Sequence, residues 1–385
     1  MAKIIDKGQI TLQGGAVMSW NITDDEVLTI SGALWNGSVT VGKDIKSEAK
    51  FRHLVLDESV QAIGFFNFSD WNCLEEVTLP PSIKCIEHAA FCGCKNLKRV
   101  NLSDGLEIIG ADSFFGCESI ETIILPVTLK KIYEYAFAGC ASLQEIVIPE
   151  GVTIIGEEAF RDCTNLRKIV LPSSVTEIGS DVFLGCTSLH KIVIPESVTS
   201  IGSSFSGCTG LQEVVISSSV TEIGDYAFSD CIDLREVVIH EGVSKIGFRA
   251  FDGCSSLCEI VIPSSVTAIG EEAFRDCVSL REVVISEGVS EIGFRAFGDC
   301  INLCKIVIPE RVKIDGGAFE RCSSLEIVHL PAVMSIVSIL SPFSGCDNLK
   351  AIYVPKNKVD YYKKRFPADM HWLIVEEGSD LPVKP

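Results

Sequence analysis

The chain has 385 residues, of which 47% are hydrophobic and 22% are charged, and its 52 acidic and 33 basic residues give a formal net charge of −19. A surface of that sign repels phosphate backbones and anionic lipid headgroups, which excludes nucleic acid and bare membrane as expected partners. No run of about eighteen apolar residues is present, so the sequence predicts no insertion into a membrane.

Residues 1–47 predict a β-rich cap at the N-terminal side of a repeat array. They fall outside the repeat that follows, and they contain Trp20 and Trp35, two of the four tryptophans. Residues 26–32 (EVLTISG) alternate apolar and polar side chains, as a strand with one buried face does. Large aromatic rings beside a repeat array are typical of caps that cover its exposed end.

Residues 48–355 repeat with a period of 23 residues. The consensus is C-x-x-L-x-x-I-x-I-P-x-x-V-x-x-I-G-x-x-A-F-x-x, and Glu48 and Trp71 occupy the cysteine position in the first two repeats. A phenylalanine lies three residues before each later cysteine, and Leu or Ile lies three residues after it. These cysteines are Cys94, Cys117, Cys140, Cys163, Cys186, Cys208, Cys231, Cys254, Cys277, Cys300, Cys322 and Cys346.

The positions that recur predict how one repeat folds. The segment L-x-x-I-x-I predicts a strand with one buried face, and the proline after it ends the strand because proline lacks an amide hydrogen. The segment V-x-x-I-G predicts a turn, and A-F-x-x-C is too short for more than one helical turn. A single repeat buries little surface, so we expect the Leu, Ile, Val, Phe and Cys positions of stacked repeats to form one continuous core.

Residues 356–385 predict a C-terminal cap and a flexible tail. The stretch KNKVDYYKKRF is typical of a short helix, and MHWLIVEE follows it with Trp372. The final GSDLPVKP contains few large apolar residues and predicts disorder.

The repeat resembles that of the BspA-like leucine-rich-repeat family, found largely on bacterial and some protist surfaces. The resemblance covers residues 48–355, and the opening MSWNITDDEVLTISGAL is similar to the cap of that family. It implies an α/β solenoid, namely a right-handed leucine-rich-repeat superhelix with a parallel β-sheet on its concave face. The convex side is then mostly β and loop.

The same resemblance implies a non-enzymatic protein-recognition or adhesion module. Its partners are then proteins, such as surface proteins of a host or of a neighbouring cell, and its location is secreted or at the cell surface. The opening MAKIIDKGQITLQGG lacks the apolar stretch of a secretory signal, so a cytoplasmic location stays open. The alternative function is an intracellular scaffold or inhibitor protein.

Other motifs give no strong indication of chemistry. Residues 37–44 (GSVTVGKD) match a phosphate loop only until Asp44, which stands where the magnesium ion needs a hydroxyl. Cys258 and Cys304 share one repeat position, but two strand spacings separate them by about 10 Å, too far for one zinc ion. The six histidines occupy different repeats and positions, so we expect no catalytic residues, no metal, no cofactor and no small-molecule substrate.

The residues between the buried strand positions are the candidate partner-binding surface on the concave face. Seven residues after the cysteine position lies a run of β-branched apolar side chains that begins at Ile124 and leads to His329 and Tyr353. An apolar stripe with a charged rim is typical of a protein interface, although valine also suits any strand. The predicted contact residues are Val147, Lys168, Val170, Lys191, Val193, Val215, Glu236, Val238, Glu259, Val261, Glu282, Val284 and Val307.

Overall fold

The 23-residue repeat forms stacked coils in which equivalent residues of neighbouring coils lie side by side. The computed structural model describes residues 2–11, 17–32, 51–336 and 341–382. It is a parallel β-solenoid, and its strands pair in register, so that Ile146 lies opposite Ile169. The chain divides into two compact units, Met1–Ser197 and Val198–Pro385, called here the N-terminal unit and the C-terminal unit.

Coils contribute two kinds of strand. The L-x-x-I-x-I segments form strands of three or four residues, which stack into what we call the long-strand ladder. The second kind has two residues, taken from V-x-x-I-G, and stacks into the short-strand ladder. The sequence predicted only a turn there; the ladder forms because stacking in register brings the same two residues of neighbouring coils within hydrogen-bonding distance.

The N-terminal unit begins with an antiparallel meander of Ile4–Thr11, Val17–Thr23 and Val27–Gly32. The third of these strands pairs in parallel with the first long strand, so the meander continues directly into the solenoid. The long strands of this unit are His53–Leu56, Glu76–Thr78, Arg99–Asn101, Glu145–Val147, Lys168–Val170 and Lys191–Val193. Its short strands are Cys85–Ile86, Ile108–Ile109, Lys131–Ile132, Ile154–Ile155 and Glu177–Ile178.

The C-terminal unit has the same two ladders. Its long strands are Glu213–Val215, Glu236–Val238, Glu259–Ile262, Glu282–Ile285, Lys305–Val307, Ile327–His329, Ala351–Val354 and Ile374–Glu376. Its short strands are Ser200–Ile201, Glu222–Ile223, Lys245–Ile246, Ala268–Ile269, Glu291–Ile292, Lys313–Ile314 and Ser335–Ile336.

The solenoid contains little helix. The predicted fold class, an α/β solenoid, is therefore more accurately described as a parallel β-solenoid. Among the described residues of the C-terminal unit, regular helix is confined to Val359–Lys363 and the 3₁₀ turn Ala368–Leu373. The A-F-x-x-C segments are turns because left-handed residues flank them. Tyr135 and Gly139, for example, have φ of 55° and 73° on either side of Phe137. A helix cannot propagate through such residues.

Phenylalanine rings form the centre of the core in each unit. In the N-terminal unit the rings from Phe68 to Phe183 stack with centroids 5.2–5.8 Å apart and interplanar angles of at most 16°. In the C-terminal unit the rings from Phe205 to Phe343 stack at 5.1–5.5 Å. The predicted continuous core is therefore present within each unit.

Aromatic residues also occupy the first and last described coils. Trp71, in the cysteine position, packs against Phe68 with ring centroids 5.1 Å apart. At the other end Phe366 extends the phenylalanine stack, and the buried Tyr362 hydroxyl donates a hydrogen bond to the Pro331 carbonyl at 2.6 Å. The sequence prediction missed the strand Ile374–Glu376, which pairs in parallel with Ala351–Val354. Trp35 and the predicted boundary at residues 47–48 lie outside the described residues.

Candidate partner-binding surface

The candidate surface consists of the solvent-facing residues of the long-strand ladder. Within a long strand the middle residue is buried and its two neighbours face solvent, as in Glu145–Val147. Because side chains alternate along a strand, those two neighbours lie on the same side of the sheet. Stacked coils turn them into two parallel rows, which we call the first column (Glu145 and its equivalents) and the valine column (Val147 and its equivalents).

In the N-terminal unit the valine column is open to solvent. Ile124, Val147, Val170 and Val193 are exposed to between 42% and 84%. Val147 and Val170 lie opposite each other on hydrogen-bonded strands. The column therefore presents contiguous apolar side chains that no other described part of this unit covers.

In the C-terminal unit the column continues through four exposed valines, Val238, Val261, Val284 and Val307, at 45–58% exposure. Val215, the remaining valine of the predicted set, is only half-buried rather than open. His329 and Tyr353 follow in the same column, half-buried and stacked on each other with ring centroids 5.2 Å apart.

The first column carries the predicted charges, and all five are exposed. Lys168 and Lys191 lie on the N-terminal unit, while Glu236, Glu259 and Glu282 lie on the C-terminal unit. The structure thus places each lysine or glutamate two residues from a valine of the neighbouring column. Whether a partner contacts them stays a prediction.

The described part of this surface contains hollows, which include the following three. One of about 620 Å³ is lined by Ile124, Val127 and Val147, and one of about 520 Å³ by Lys168, Val170 and neighbouring residues, both in the N-terminal unit. The third, of about 460 Å³, lies in the C-terminal unit. Its lining residues are Arg281, Glu282, Val283, Val284, Ile285, Lys305 and Val307.

The cysteines take two different places. The ladder thiols are buried, as predicted, and loss of hydration raises the pKa of Cys94 and Cys140 to about 12. Cys258 and Cys304, by contrast, are exposed on the side of the long strands. The structure therefore separates Cys258 from the buried Cys254. Among the residues that the structure describes, no cluster of three metal-ligating side chains occurs. The sequence 37–44 lies outside those residues.

The sequence analysis missed two features on the turn side of the coils. In the N-terminal unit, Phe65 and Phe66 are exposed and pack edge-on against His88. In the C-terminal unit, Arg249 pairs with Glu272 at 2.5 Å and Arg295 with Glu320 at 2.6 Å. The signal was present in the sequence, because these phenylalanines and arginines lie within the two residues after the consensus glycine, but those positions fall outside the predicted strand.

The repeat geometry matches a known family. A family model described as the BspA type Leucine rich repeat region matches residues 40–150, 130–258 and 245–368, with six copies. The chain belongs to the BspA-type leucine-rich-repeat family. This confirms the resemblance seen in the repeat, and it identifies the parallel β-solenoid as a leucine-rich-repeat fold. Leucine-rich repeats of this type are typically protein-interaction modules and generally not enzymes, and no enzyme family matches the chain.

Two solved structures support the leucine-rich-repeat fold over nearly the whole chain. A leucine-rich repeat protein from Bacteroides ovatus is 26% identical, with 98% of each chain covered and a TM-score of 0.69. A leucine rich cell surface protein from Faecalibacterium prausnitzii is 25% identical, with 92% of this chain and 97% of that chain covered and a TM-score of 0.50. Comparison with curated proteins gives no match. None of the helices in the described residues is long and apolar enough to cross a membrane.

Proposed function

We propose that this BspA-type protein is a non-enzymatic recognition and adhesion module that binds a partner protein through the solvent-facing side of its long-strand ladder. The observation that carries the proposal is the exposed valine column, present in each unit beside a column of charged residues. Apolar patches on soluble proteins are usually small unless they serve an interface, and a charged rim around an apolar centre is typical of one.

Strand propensity alone does not explain the column. Valine suits a strand, but the fold accepts polar residues at the same position, because Thr78 and Asn101 occupy it in the second and third coils. Isoleucine or valine nevertheless follows in every coil from Ile124 to Val307. The choice of an apolar side chain at an exposed position therefore favours contact with a partner.

The arrangement of the solenoid completes the proposal. We propose right-handed winding with the long-strand ladder on the concave side, a cap of residues 1–47, a solenoid of residues 48–355, and a cap with a tail at residues 356–385. A crystal structure would test the winding directly. A partner protein that binds a concave sheet would contact both columns at once.

For location we propose the cell surface or secretion. The support is the similar protein from F. prausnitzii, which is described as a cell surface protein. Protease treatment of intact cells should degrade the native protein, whereas survival of the protein until lysis would favour the alternative of an intracellular scaffold or inhibitor. The buried, reduced thiols are compatible with that alternative.

A conservative triple substitution tests the binding surface. Replacing Val238, Val261 and Val284 by threonine keeps the β-branched shape but removes three methyl groups, each worth about 0.8 kcal/mol when buried in an interface. We expect at least tenfold weaker binding to the native partner, measured by surface plasmon resonance, with an unchanged melting temperature.

Val333 supplies the matched control, because it is exposed in the same unit but lies outside the valine column. Val333→Thr should bind the partner as the wild type does. If the triple variant also keeps full affinity, the valines serve only the sheet and the proposed surface is wrong.

A further inference from the structure

The first column of the C-terminal unit begins with a row of glutamates. Glu213, Glu236, Glu259 and Glu282 occupy it in four successive coils, and Lys305, Ile327 and Ala351 follow in the later coils. Glu213 lies opposite Glu236, and Glu259 lies opposite Glu282, on hydrogen-bonded parallel strands. Such strands are about 4.8 Å apart, so the row places carboxylates at close and regular intervals along about 14 Å.

Stacking like charges in this way works against folding. Like charges directly opposite each other on neighbouring strands are destabilising, because their repulsion is unbalanced. Among the residues that the structure describes, no ion pair involves Glu236, Glu259 or Glu282; the ion pairs of this unit lie elsewhere. Arg235 and Arg281 each precede a long strand, and Lys305 begins the long strand after Glu282, but in the described part of the chain none of these three forms an ion pair with Glu236, Glu259 or Glu282.

The fold does not require this arrangement, because other positions pair their charges. On the short-strand ladder of the same unit, Glu222 pairs with Lys245 at 3.1 Å and Glu291 with Lys313 at 2.6 Å. The first column itself pairs charges in the N-terminal unit, where Arg99 contacts the Glu76 carboxylate at 2.6 Å. The row of glutamates is therefore a local feature of one surface, and not a property of the repeat.

We infer that this surface binds an extended cationic polypeptide segment. Its Lys or Arg side chains would neutralise Glu236, Glu259 and Glu282, while its apolar side chains would cover Val238, Val261 and Val284 beside them. These three glutamates span about 10 Å, which matches about three extended residues. The net charge of −19 adds long-range attraction for a basic partner. The inference rests on the proposed function and specifies the partner's chemistry.

An adjacent apolar row distinguishes a polypeptide from a simple cation. A polyamine or a metal ion would contact only the carboxylates and would leave the valine column exposed. A segment that combines Lys or Arg with apolar residues would contact both columns. The probe is accordingly a fluorescein-labelled peptide of eight residues in which Lys and Val alternate. The reversed-charge probe is the same peptide with Glu in place of Lys.

Fluorescence anisotropy with the full chain provides the test. We expect the Lys–Val peptide to bind and the Glu–Val peptide not to bind, with affinity that falls as salt rises. Glu236→Gln with Glu259→Gln should weaken binding about tenfold, since two charge contacts are lost. Glu222→Gln with Glu291→Gln removes the same charge from the short-strand ladder and should change affinity less than twofold.

The same variants give a second readout. Because like-charge repulsion is relieved, Glu236→Gln with Glu259→Gln should melt at or above the wild-type temperature while it binds more weakly. Equal binding of both peptides, full affinity in this variant, or spermine binding as tightly as the peptide would each overturn the inference. If the valine-to-threonine variant still loses the native partner in that case, the proposed function stands and only the cationic partner is wrong.

Discussion

A single hydrogen bond explains why cysteine occupies its position in nearly every coil. The Cys117 thiol donates to the carbonyl oxygen of Phe91, one coil earlier, with 3.2 Å between sulfur and oxygen. The backbone N–H of Cys94 donates to the same oxygen. Other coils repeat this contact, as Cys163 does with Phe137. Cysteine is small and apolar enough for the core, yet it still offers a donor to a buried carbonyl.

Burial also makes these thiols chemically inert, which thiol labelling can test. The thiolate is the reactive form, and loss of hydration raises the pKa of Cys140 to about 12. In native protein at pH 8, dithionitrobenzoate should therefore label Cys258 and Cys304, which are exposed, and leave Cys140 and Cys163 unmodified. Peptide mass spectrometry identifies the labelled residues.

The variant with Cys258→Ser and Cys304→Ser serves as the control, and it should lose the fast phase of labelling. Rapid modification of Cys163 in the folded protein would show that the ladder opens far more easily than its burial indicates. Unfolding in urea should make every thiol reactive.

At this scale the sequence predicted the buried cysteines and phenylalanines correctly, because their spacing alone places them on one side of the coil. It did not reveal that Val215 is less exposed than Val238. The two residues have the same position in the repeat, so their difference depends on neighbouring coils. Because both residues are valines at the same position of the repeat, the repeat pattern cannot predict their difference in exposure.

At the scale of the coil, the consensus glycine limits how closely coils approach. A Cβ atom on Gly156 would lie 2.5 Å from the backbone nitrogen of Glu134 and 2.6 Å from the carbonyl carbon of Tyr133, both in the preceding coil. Real Cβ atoms do not come that near to backbone, so one of the two coils would have to move. Gly202 occupies the same position but meets no atom within 4 Å.

These two glycines make a matched pair of substitutions. Gly156→Ala should lower the free energy of unfolding by about 2 kcal/mol or more, because overpacking against backbone cannot be relieved by a rotamer change. Gly202→Ala should be neutral or slightly stabilising, since alanine restricts the unfolded chain. Urea unfolding followed by circular dichroism measures both; equal effects would contradict the close-approach argument.

Some strands of the solenoid could be predicted from the sequence and others could not. The long strands and their terminating prolines were predictable because alternation over six positions is a readable pattern. The short-strand ladder was not, since two residues such as Ile154–Ile155 carry no periodicity of their own. Ile374–Glu376 was missed for a similar reason: its pairing partner, Ala351–Val354, exists only after the solenoid has formed. Stacking, rather than local propensity, creates both.

At the scale of the whole molecule, the two ladders differ in how their charges are paired, and the composition does not reveal this difference. The short-strand ladder of the C-terminal unit balances its charges between neighbouring coils, whereas the first column of that unit leaves Glu259 and Glu282 side by side. A net charge of −19 alone suggested only which partners to exclude. The position of the unbalanced charges, beside exposed valines, is the observation from which we infer the binding site and the positive charge of the partner.

The buried thiols, distributed through both units, also predict how the stability of the whole protein depends on pH. A thiol titrates near 9 in the unfolded chain, but burial raises the pKa of Cys94 and Cys140 to about 12 in the folded protein. Between these values the folded state binds more protons than the unfolded state. The free energy of unfolding must therefore fall as pH rises above about 9, by up to about 1.4 kcal/mol per pH unit for each such thiol.

Urea unfolding at pH 7.5, 9.5 and 10.5 measures this dependence. Lysines and tyrosines titrate in the same range, so the decisive quantity is the difference between variants. Cys140→Ala removes one buried thiol and should make the fall above pH 9 shallower by about 1.4 kcal/mol per pH unit, although it lowers stability at pH 7.5. Cys258→Ser, which replaces an exposed thiol, is the control for the loss of one cysteine. Identical slopes in the wild type and Cys140→Ala would mean that the Cys140 thiol ionises as readily in the folded solenoid as in the unfolded chain.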